Sequence, residues 1–371
     1  MAPWSEETAG PPVAGIDARA YQVPTEQPES DGTLAWDSVT IVVVHAGAGG
    51  SQGVGYTYAD PSLAPLINDK LAGVVRDAPA FDVPAISRRL YGEIRNLGRP
   101  GLCAEAISAV DVALWDLKAR LLDLPLAALL GRARDACPIY GSGGFTSYTT
   151  EQLAAQLAGW VHGGIPRVKL KVGRDPGADP RRVETARDAI GPDAGLFVDA
   201  NGAYSRKQAL QLAAVFAEQG VSWFEEPVSS DDLEGLRLLR DRAPAGMEVA
   251  AGEYAFDLFT FRRMLDAESV DVIQPDATRC GGVTGFLKAA TLAETHGVPV
   301  SAHCAPSLHA HVGCAVAGLR HIEYFHDHVR IEHLLFDGVR EPDGGSLRPD
   351  MTRPGLGLEL KRADAERYLV A

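Results

Sequence analysis

Positive charge is scarce in this sequence. Across 371 residues, 35 Lys and Arg face 49 Asp and Glu, a formal net charge of −14. A nucleic-acid partner calls for a basic face and a membrane surface for a polybasic stretch, so neither is expected. Long apolar runs are lacking too. Ile41–Val44 is a short strand-like stretch, far below the roughly 18 residues of a spanning helix. The N-terminus, MAPWSEETAG, is acidic without an apolar core and does not read as a secretory signal. Cysteine is sparse: Cys103, Cys137, Cys280, Cys304 and Cys314 form no CxxC, which reads as reduced thiols in a cytoplasm. Two motifs are also missing. Gly47, Gly49, Gly50, Gly53 and Gly55 lead to no Gly-Lys-Ser/Thr, so they read as a flexible loop rather than a phosphate cradle. Ser142 has no GxSxG around it. These absences leave an acidic cytoplasmic globular protein, most simply an enzyme. Its length suits two domains, or one large barrel with an appendage.

What is present has two textures. Residues 1–12 are polar, with Pro3, Pro11 and Pro12, and read as frayed. Three strand patterns follow, at Val13–Val23, Val39–His45 and Gly53–Tyr58, with the polar stretch Pro24–Asp37 expected as a mobile loop. Helical patterns occupy Pro61–Val75, Pro84–Asn96 and Ala104–Leu122. In the last, Ile107, Val110, Ala113, Leu114, Leu117 and Leu121 recur at helical spacing. Strands followed by a block of helices read as an α+β module. After Gly131, short strands alternate with amphipathic helices. The strands are expected at Pro138–Ser142, Val168–Val172, Gly195–Asp199, Val221–Glu225, Glu248–Ala251, Asp271–Gln274, Pro299–Ala302 and His321–Tyr324. Each but the last leads into a helix. The helix after Asp199 starts at Ser205, a plausible N-cap, and stops at Gly220. Eight such units predict a closed parallel (β/α)8 barrel. An open doubly wound sheet is the weaker reading, because no GxGxxG follows the first strand. The expected division is an α+β capping domain over 1–135, a TIM-like barrel over 136–335, and a tail over 336–371 folding back on the cap.

Polar residues recur at the barrel strand ends: Lys169 and Lys171, then Asp199, Glu225, Glu253, Asp276, His303 and Glu323. From Lys171 onward they are 20 to 28 residues apart. That interval is about one βα unit, so all reach the C-terminal mouth where barrel active sites lie. Asp199, Glu225 and Glu253 from successive strands would repel one another without a cation, and oxygen-only ligands favour Mg2+. Glu226, by strand alternation, points away from Glu225 and reads as an outer partner. Lys169 and Lys171 share a face. Their mutual repulsion, with the cation nearby, would lower a lysine pKa and make it a base. Asp276 against His303 would fix the imidazole tautomer and raise its basicity. His326, Asp327, His328 and His333 could mimic a second metal site, but read as loop residues with one or two near the substrate. His309 and His311, two apart, cannot share a helix face.

These residues carry a resemblance. The segments AEAISAVDVALWDLKAR, VKLKVG, FVDANGAYS, WFEEPV, AAGEY, PDATRCGGVTG, SAH and PGLGL, spread over nearly the whole chain, resemble the enolase superfamily and its mandelate racemase subgroup. The resemblance implies Asp199, Glu225 and Glu253 as ligands of one Mg2+ and Lys171 as a base with Lys169 its electrostatic partner. It implies the His303–Asp276 pair as acid/base on the other face. Glu323 would hydrogen-bond a substrate carboxylate oxygen, and Asn201 would line the site. Loops near Pro24–Asp37 and Gly49–Asp60 would close over substrate. An even-numbered homo-oligomer is implied as well.

The chemistry expected is removal of the proton beside a carboxylate, giving an enediolate stabilised by Mg2+ and by a protonated Glu323. With a hydroxyl on the next carbon, His303 would expel water and yield a 2-keto-3-deoxy acid. The first expectation is therefore dehydration of a sugar-derived aldonic or aldaric acid, favoured by polar cap residues such as Thr25, Glu26, Gln27, Glu29, Ser30, Asp31, Ser51, Gln52 and Tyr56. The alternative is a racemase or epimerase of a 2-hydroxy acid. Cycloisomerisation stands behind both, because such relatives usually carry a lysine after the sixth strand where this chain has Arg279. A metal-binding barrel without catalysis is opposed by the intact Lys171, His303 and Glu323.

Overall fold

The computed structural model describes residues 9–371. Most of the stretch expected to fray lies outside that range. Residues 9–12 are held: Phe81 N donates to Ala9 O (3.1 Å) and Ala80 N to Pro11 O (3.0 Å). The chain then forms an antiparallel meander, β1 (Gly15–Ser30), β2 (Ala35–Ala48) and β3 (Ser51–Tyr58). Alternation on β2 splits its apolar run between two cores. Val42 and Val44 face the cap helices, whereas Ile41 and Val43 join the core shared with the barrel. A run buried on both faces shows no polar alternation.

A helical run over 63–75, with a π-helical segment at Leu66–Leu71, leads to α1 (Val83–Glu93) and α2 (Leu102–Leu121). The glycine-rich stretch is not a flexible loop. Only Gly49 and Gly50 make the turn, with φ of 55° and 80°. Gly53 and Gly55 lie within β3, where a Cβ would collide with main-chain atoms of Ala109, Ala113 and Leu117. Their missing side chains let α2 settle directly on the strand.

Pro24–Asp37 is ordered hairpin rather than mobile loop, because its polar groups have partners. Asp31 Oδ1 accepts from Thr33 N (2.6 Å) and Leu34 N (2.7 Å), shaping the tip. Ser30 Oγ lies 2.6 Å from Thr146 Oγ1. The tip reaches the barrel at Gly32, whose Cβ position is 2.5 Å from Ala200 O and 2.7 Å from Val172 O.

Eight parallel strands follow: β4 (Cys137–Gly143), β5 (Arg167–Lys171), β6 (Gly195–Asp199), β7 (Val221–Glu225), β8 (Glu248–Ala251), β9 (Val272–Ile273), β10 (Val300–Ala302) and β11 (Leu319–Phe325). Each pairs with the next, and Ile322 of β11 pairs with Ile139 of β4, which closes the barrel. Between them run α3 (Thr150–His162), α4 (Asp179–Ile190), α5 (Arg206–Glu218), α6 (Leu233–Arg242), α7 (Leu258–Asp266), α8 (Gly282–Thr295) and α9 (Pro306–Cys314). Ser205 caps α5 through a capping box with Gln208, and Gly220 beyond its end has φ 72°. The last strand is also followed by a helix, α10 (His326–Leu335), so His326, His328 and His333 are helical rather than loop residues. Its buried face includes Asp327, His328 and Glu332, which hides the apolar periodicity. Beneath the mouth, Tyr140, Phe197, Trp223, Ala250 and Val272 fill the barrel.

The C-terminal segment touches both modules. Ser346–Leu347 pairs with β4, and Val370 N donates to Ala20 O (2.9 Å) at the edge of β1. Asp116 of α2 accepts from Leu356 N, Val54 N and Arg120 Nε at 2.5, 2.8 and 2.7 Å. One buried carboxylate thus ties tail, sheet and helix together. Among the described residues no helix is long and apolar enough to cross a membrane.

Candidate active site

The barrel strands end in chemistry. Lys169 and Lys171 face the interior from β5, while Val168 and Leu170 pack outward into the main core. Asp199, Glu225 and Glu253 bring one oxygen each to within 4.8 Å of one another. All three are buried. Lys171 Nζ donates to Asp199 Oδ2 (2.5 Å) and Lys169 Nζ to Glu225 Oε1 (2.5 Å). Lys169 also lies 2.7 Å from Glu323 Oε1. Trp223 Nε1 donates to Glu225 Oε2 (3.0 Å), fixing the carboxylate from below.

A divalent cation fits this set. Burial, then the charge of Asp199, pushes the Glu225 carboxyl up to about 8, even with Lys169 beside it. Glu253 Oε2 is shielded from solvent and accepts no well-aligned hydrogen bond, although His303 Nε2 stands 3.3 Å away. Three buried carboxylates with an orphaned oxygen match the hard, oxygen-seeking Mg2+.

Opposite elements supply the histidine. His303 Nδ1 lies 2.8 Å from Asp276 Oδ2, and its Nε2 lies 3.3 Å from Glu253 Oε2 and 3.6 Å from Glu323 Oε2. Burial opposes the imidazolium, but Cys304, Glu253 and Glu323 around it raise its pKa well above the usual value. Asp276 Oδ1 accepts from Thr278 N (2.7 Å), which orients the pair.

Three expectations meet a setting of unneutralised carboxylates. Against those charges alone, both lysines are raised rather than lowered. Burial works against their charge, and Lys169 does depress Lys171, but Glu225 and Glu323 around Lys169 and Asp199 beside Lys171 outweigh this. Glu323 is not in a donor's environment. It accepts from Ser142 Oγ (2.6 Å) and Cys304 N (3.3 Å) and pairs with Lys169, which holds it ionised despite burial. Glu226 does not point away. Its φ of 38° breaks the strand alternation, and burial, then Glu253 and Asp199, push its carboxyl well up. Its Oε1 has no hydrogen-bond partner.

Positive φ marks the strand exits generally: Asn201 (44°), Glu226 (38°), Cys304 (52°) and Ala305 (39°). Side chains rarely tolerate this region, so strain gathers at the mouth. Asn201 N donates to Asp199 Oδ1 (2.9 Å), while its buried Oδ1 accepts nothing. A cavity of about 780 Å³ opens beside Asn201 and Glu226, lined also by Thr33 of the hairpin tip, Ser229, Tyr254 and Arg263. Another, of about 260 Å³, lies away from these residues near α1 and α8.

Sequence reasoning missed Cys304 and Arg279 as neighbours of the site. Cys304 Sγ is 3.3 Å from His303 Nε2 and 3.4 Å from Glu323 Oε2. Arg279 Nη1 is 3.6 Å from Glu253 Oε1. Cys304 directly follows the strand-end histidine, and that adjacency was the available signal. Ser142, set aside for want of a GxSxG, was legible as the end of the first barrel strand.

Comparison with known proteins agrees with this geometry. The profile of the mandelate racemase / muconate lactonizing enzyme N-terminal domain matches residues 16–131, and that of the enolase C-terminal domain-like family matches 152–365. The 3,6-anhydro-alpha-L-galactonate cycloisomerase of Streptomyces coelicolor is 32% identical over 351 residues, covering 93% of this chain and 95% of that protein. The L-talarate/galactarate dehydratase of Salmonella typhimurium is 34% identical over 321 residues, covering 84% and 78%. A crystal structure of that dehydratase with Mg and L-lyxarohydroxamate superposes with a TM-score of 0.90 at 28% identity, covering 100% of this chain and 96% of that one. A mandelate racemase/muconate lactonizing enzyme-like protein from Rubrobacter xylanophilus gives a TM-score of 0.95 at 56% identity, covering 97% and 100%.

Proposed function

The chain belongs to the mandelate racemase/muconate lactonizing enzyme family of the enolase superfamily and is a magnesium-dependent enzyme; from that premise we propose that it dehydrates a sugar-derived aldonic or aldaric acid to the 2-keto-3-deoxy acid. In this reading Asp199, Glu225 and Glu253 hold Mg2+, which when bound supplies positive charge where the substrate carboxylate becomes an enediolate. Every other step rests on the protein's own groups.

With the charge of Asp199 and Glu253 shared with a bound cation, Lys171 or His303 can give up its own proton and take the one on the carbon beside the carboxylate, according to its configuration. His303 then gives a proton from Nε2 to the hydroxyl on the next carbon; the C–O bond breaks, water leaves, and the enol becomes the keto acid. Asp276 keeps the other imidazole nitrogen occupied, so that Nε2 is the atom that trades protons. Positioned proton transfer of this kind contributes about 10²–10⁴-fold in rate. Glu323 faces the same space. An incoming carboxylate cannot share it with an ionised Glu323, so Glu323 must gain a proton from solvent as substrate binds, which leaves the Nε2 proton of His303 for the departing hydroxyl.

The observation that carries this reading is His303. Its Nδ1 is tied to Asp276 and its Nε2 is turned toward the carboxylates, 3.3 Å from Glu253. The unpartnered Asn201 Oδ1 beside the polar cavity supports a hydroxyl-bearing substrate. In the same reading the chain divides by function into a cap over 1–135, a barrel over 136–335 and a tail over 336–371. An even-numbered homo-oligomer is part of the same reading, with exposed Leu97, Leu102 and Phe259 as apolar surface for it; light scattering tests it.

The test is a screen of sugar acids with Mg2+ in D2O, following 2-keto acid and α-deuteration together. Keto acid from one member supports dehydration. Deuterium exchange with inversion and no water loss identifies the racemase alternative on the same residues. A lactone-opening or ring-closing product identifies a cycloisomerase, the activity named for the Streptomyces relative.

A further inference from the structure

The cap hairpin meets the start of α10 at a second group of acids, separate from the triad. Glu29, Asp327 and His326 bring one ligand atom each to within 4.8 Å of one another. Glu29 is 1% exposed and Asp327 0%. Two buried carboxyl groups this close cannot both stay ionised unless something positive lies between them. The surroundings offer mainly neutral dipoles. Trp36 Nε1 donates to Glu29 Oε2 (3.1 Å) and, more weakly, to Asp327 Oδ2 (3.4 Å). Tyr148 Oη donates to Glu29 Oε1 (3.3 Å). Arg330 approaches Asp327 Oδ1 to 3.7 Å without a hydrogen bond. Asp327 Oδ1 and His326 Nε2 are both cut off from solvent and have no hydrogen-bond partner. Burial and the neighbouring Asp327 push the Glu29 carboxyl up to about 9. At the solvent edge, Glu26 Oε2 stands 3.4 Å from His326 Nε2.

We propose that Glu29, His326 and Asp327, completed by Glu26, form a second divalent-cation site that fastens the cap hairpin to the barrel. One imidazole with carboxylates suits Zn2+ or Mn2+ better than Mg2+. Two ligands come from β1 and two from the first turn of α10, so the ion bridges elements about 300 residues apart in sequence. Its binding stabilises the docked hairpin, whose tip presses on the exits of β5 and β6.

The experiment is a titration of the metal-free full-length protein with Mn2+, reading free Mn2+ by EPR. Two Mn2+ per chain are expected. Glu29→Gln and Asp327→Asn each lose one and keep the other. Glu26→Gln, at an exposed position that does not threaten folding, weakens that site about tenfold or more. Hydrogen exchange over residues 24–37 slows with Mn2+ in the wild type but not in Glu29→Gln. Wild-type stoichiometry in Glu29→Gln, or a single Mn2+ that only Glu225→Gln removes, means the two carboxyls share a proton and overturns the proposal. A single Mn2+ removed by Glu29→Gln alone upholds it while refuting the triad, so the two metal assignments fail separately.

Discussion

Gly32→Ala should loosen the cap without touching the chemistry. A Cβ on Gly32 would sit 2.5 Å from Ala200 O, 2.7 Å from Val172 O and 2.9 Å from Ala203 Cβ. The shortest of these is roughly 1 Å inside ordinary contact. Neither carbonyl can yield, because both belong to the backbone where β5 and β6 leave the barrel. The hairpin tip must lift instead, and overpacking of this kind costs about 1–3 kcal/mol. The docked cap then becomes roughly 5- to 150-fold less favoured. Lys171, His303 and the acidic triad sit on the barrel strands or within two residues of their ends and stay where they are. The penalty should therefore raise KM for the acid found in the screen while kcat changes by less than about threefold. Hydrogen exchange over residues 24–37 should quicken, with the barrel strands unchanged. Gly15→Ala is the control, since nothing lies within 4 Å of its Cβ. Unchanged KM and exchange in Gly32→Ala, or a fall in kcat with KM constant, would refute the expectation that the Pro24–Asp37 hairpin closes over substrate.

Lys171→Ala and His303→Asn should each reduce turnover of the identified acid to background; full activity in both would remove the assigned bases. Mg2+ should raise Tm in the wild type, about 2.7 kcal/mol of stabilisation at a hundredfold excess over Kd, and Glu225→Gln should abolish the shift in calorimetry. Acid should destabilise the fold through His321. Burial, then Arg167 and Arg320, pushes its pKa down to about 3, against about 6.5 unfolded. Between those values the unfolded chain binds the extra proton, so stability falls as pH drops below 6.5, by at most about 1.4 kcal/mol per pH unit. His321→Gln, which can keep the contact to Ser301 Oγ (2.8 Å), should flatten Tm between pH 6.5 and 4; parallel curves would count against this. Gly55→Ala should cost about 1–3 kcal/mol by driving α2 from β3, and an unchanged Tm would show that the helix has room to move.

Much of the site was legible because barrel geometry converts sequence interval into position. Residues about one βα unit apart reach the same mouth, so Asp199, Glu225, Glu253 and His303 group together from sequence interval alone. Where the backbone left the regular pattern, reading failed. Glu226 was assigned outward by alternation, but its backbone is left-handed and its side chain lines the cavity beside Asn201. Polar segments misled in the same way. Pro24–Asp37 resembled a mobile loop because composition does not show that Asp31 caps its own turn and Ser30 meets Thr146.

The sequence by itself determined the element order, the barrel and the kinds of group at its mouth, since periodicity and capping are local properties. Only the tertiary structure decided the protonation tendencies and the docking of the cap. The lysines' pKa values depend on which carboxylate lies 2.5 Å away, and that choice is made by strand register. The chain's acidity, which excluded basic partners at the outset, also looks different once folded. Part of it is buried in two clusters, at the triad and at Glu29–Asp327, where separation and burial rather than net charge set what each can bind.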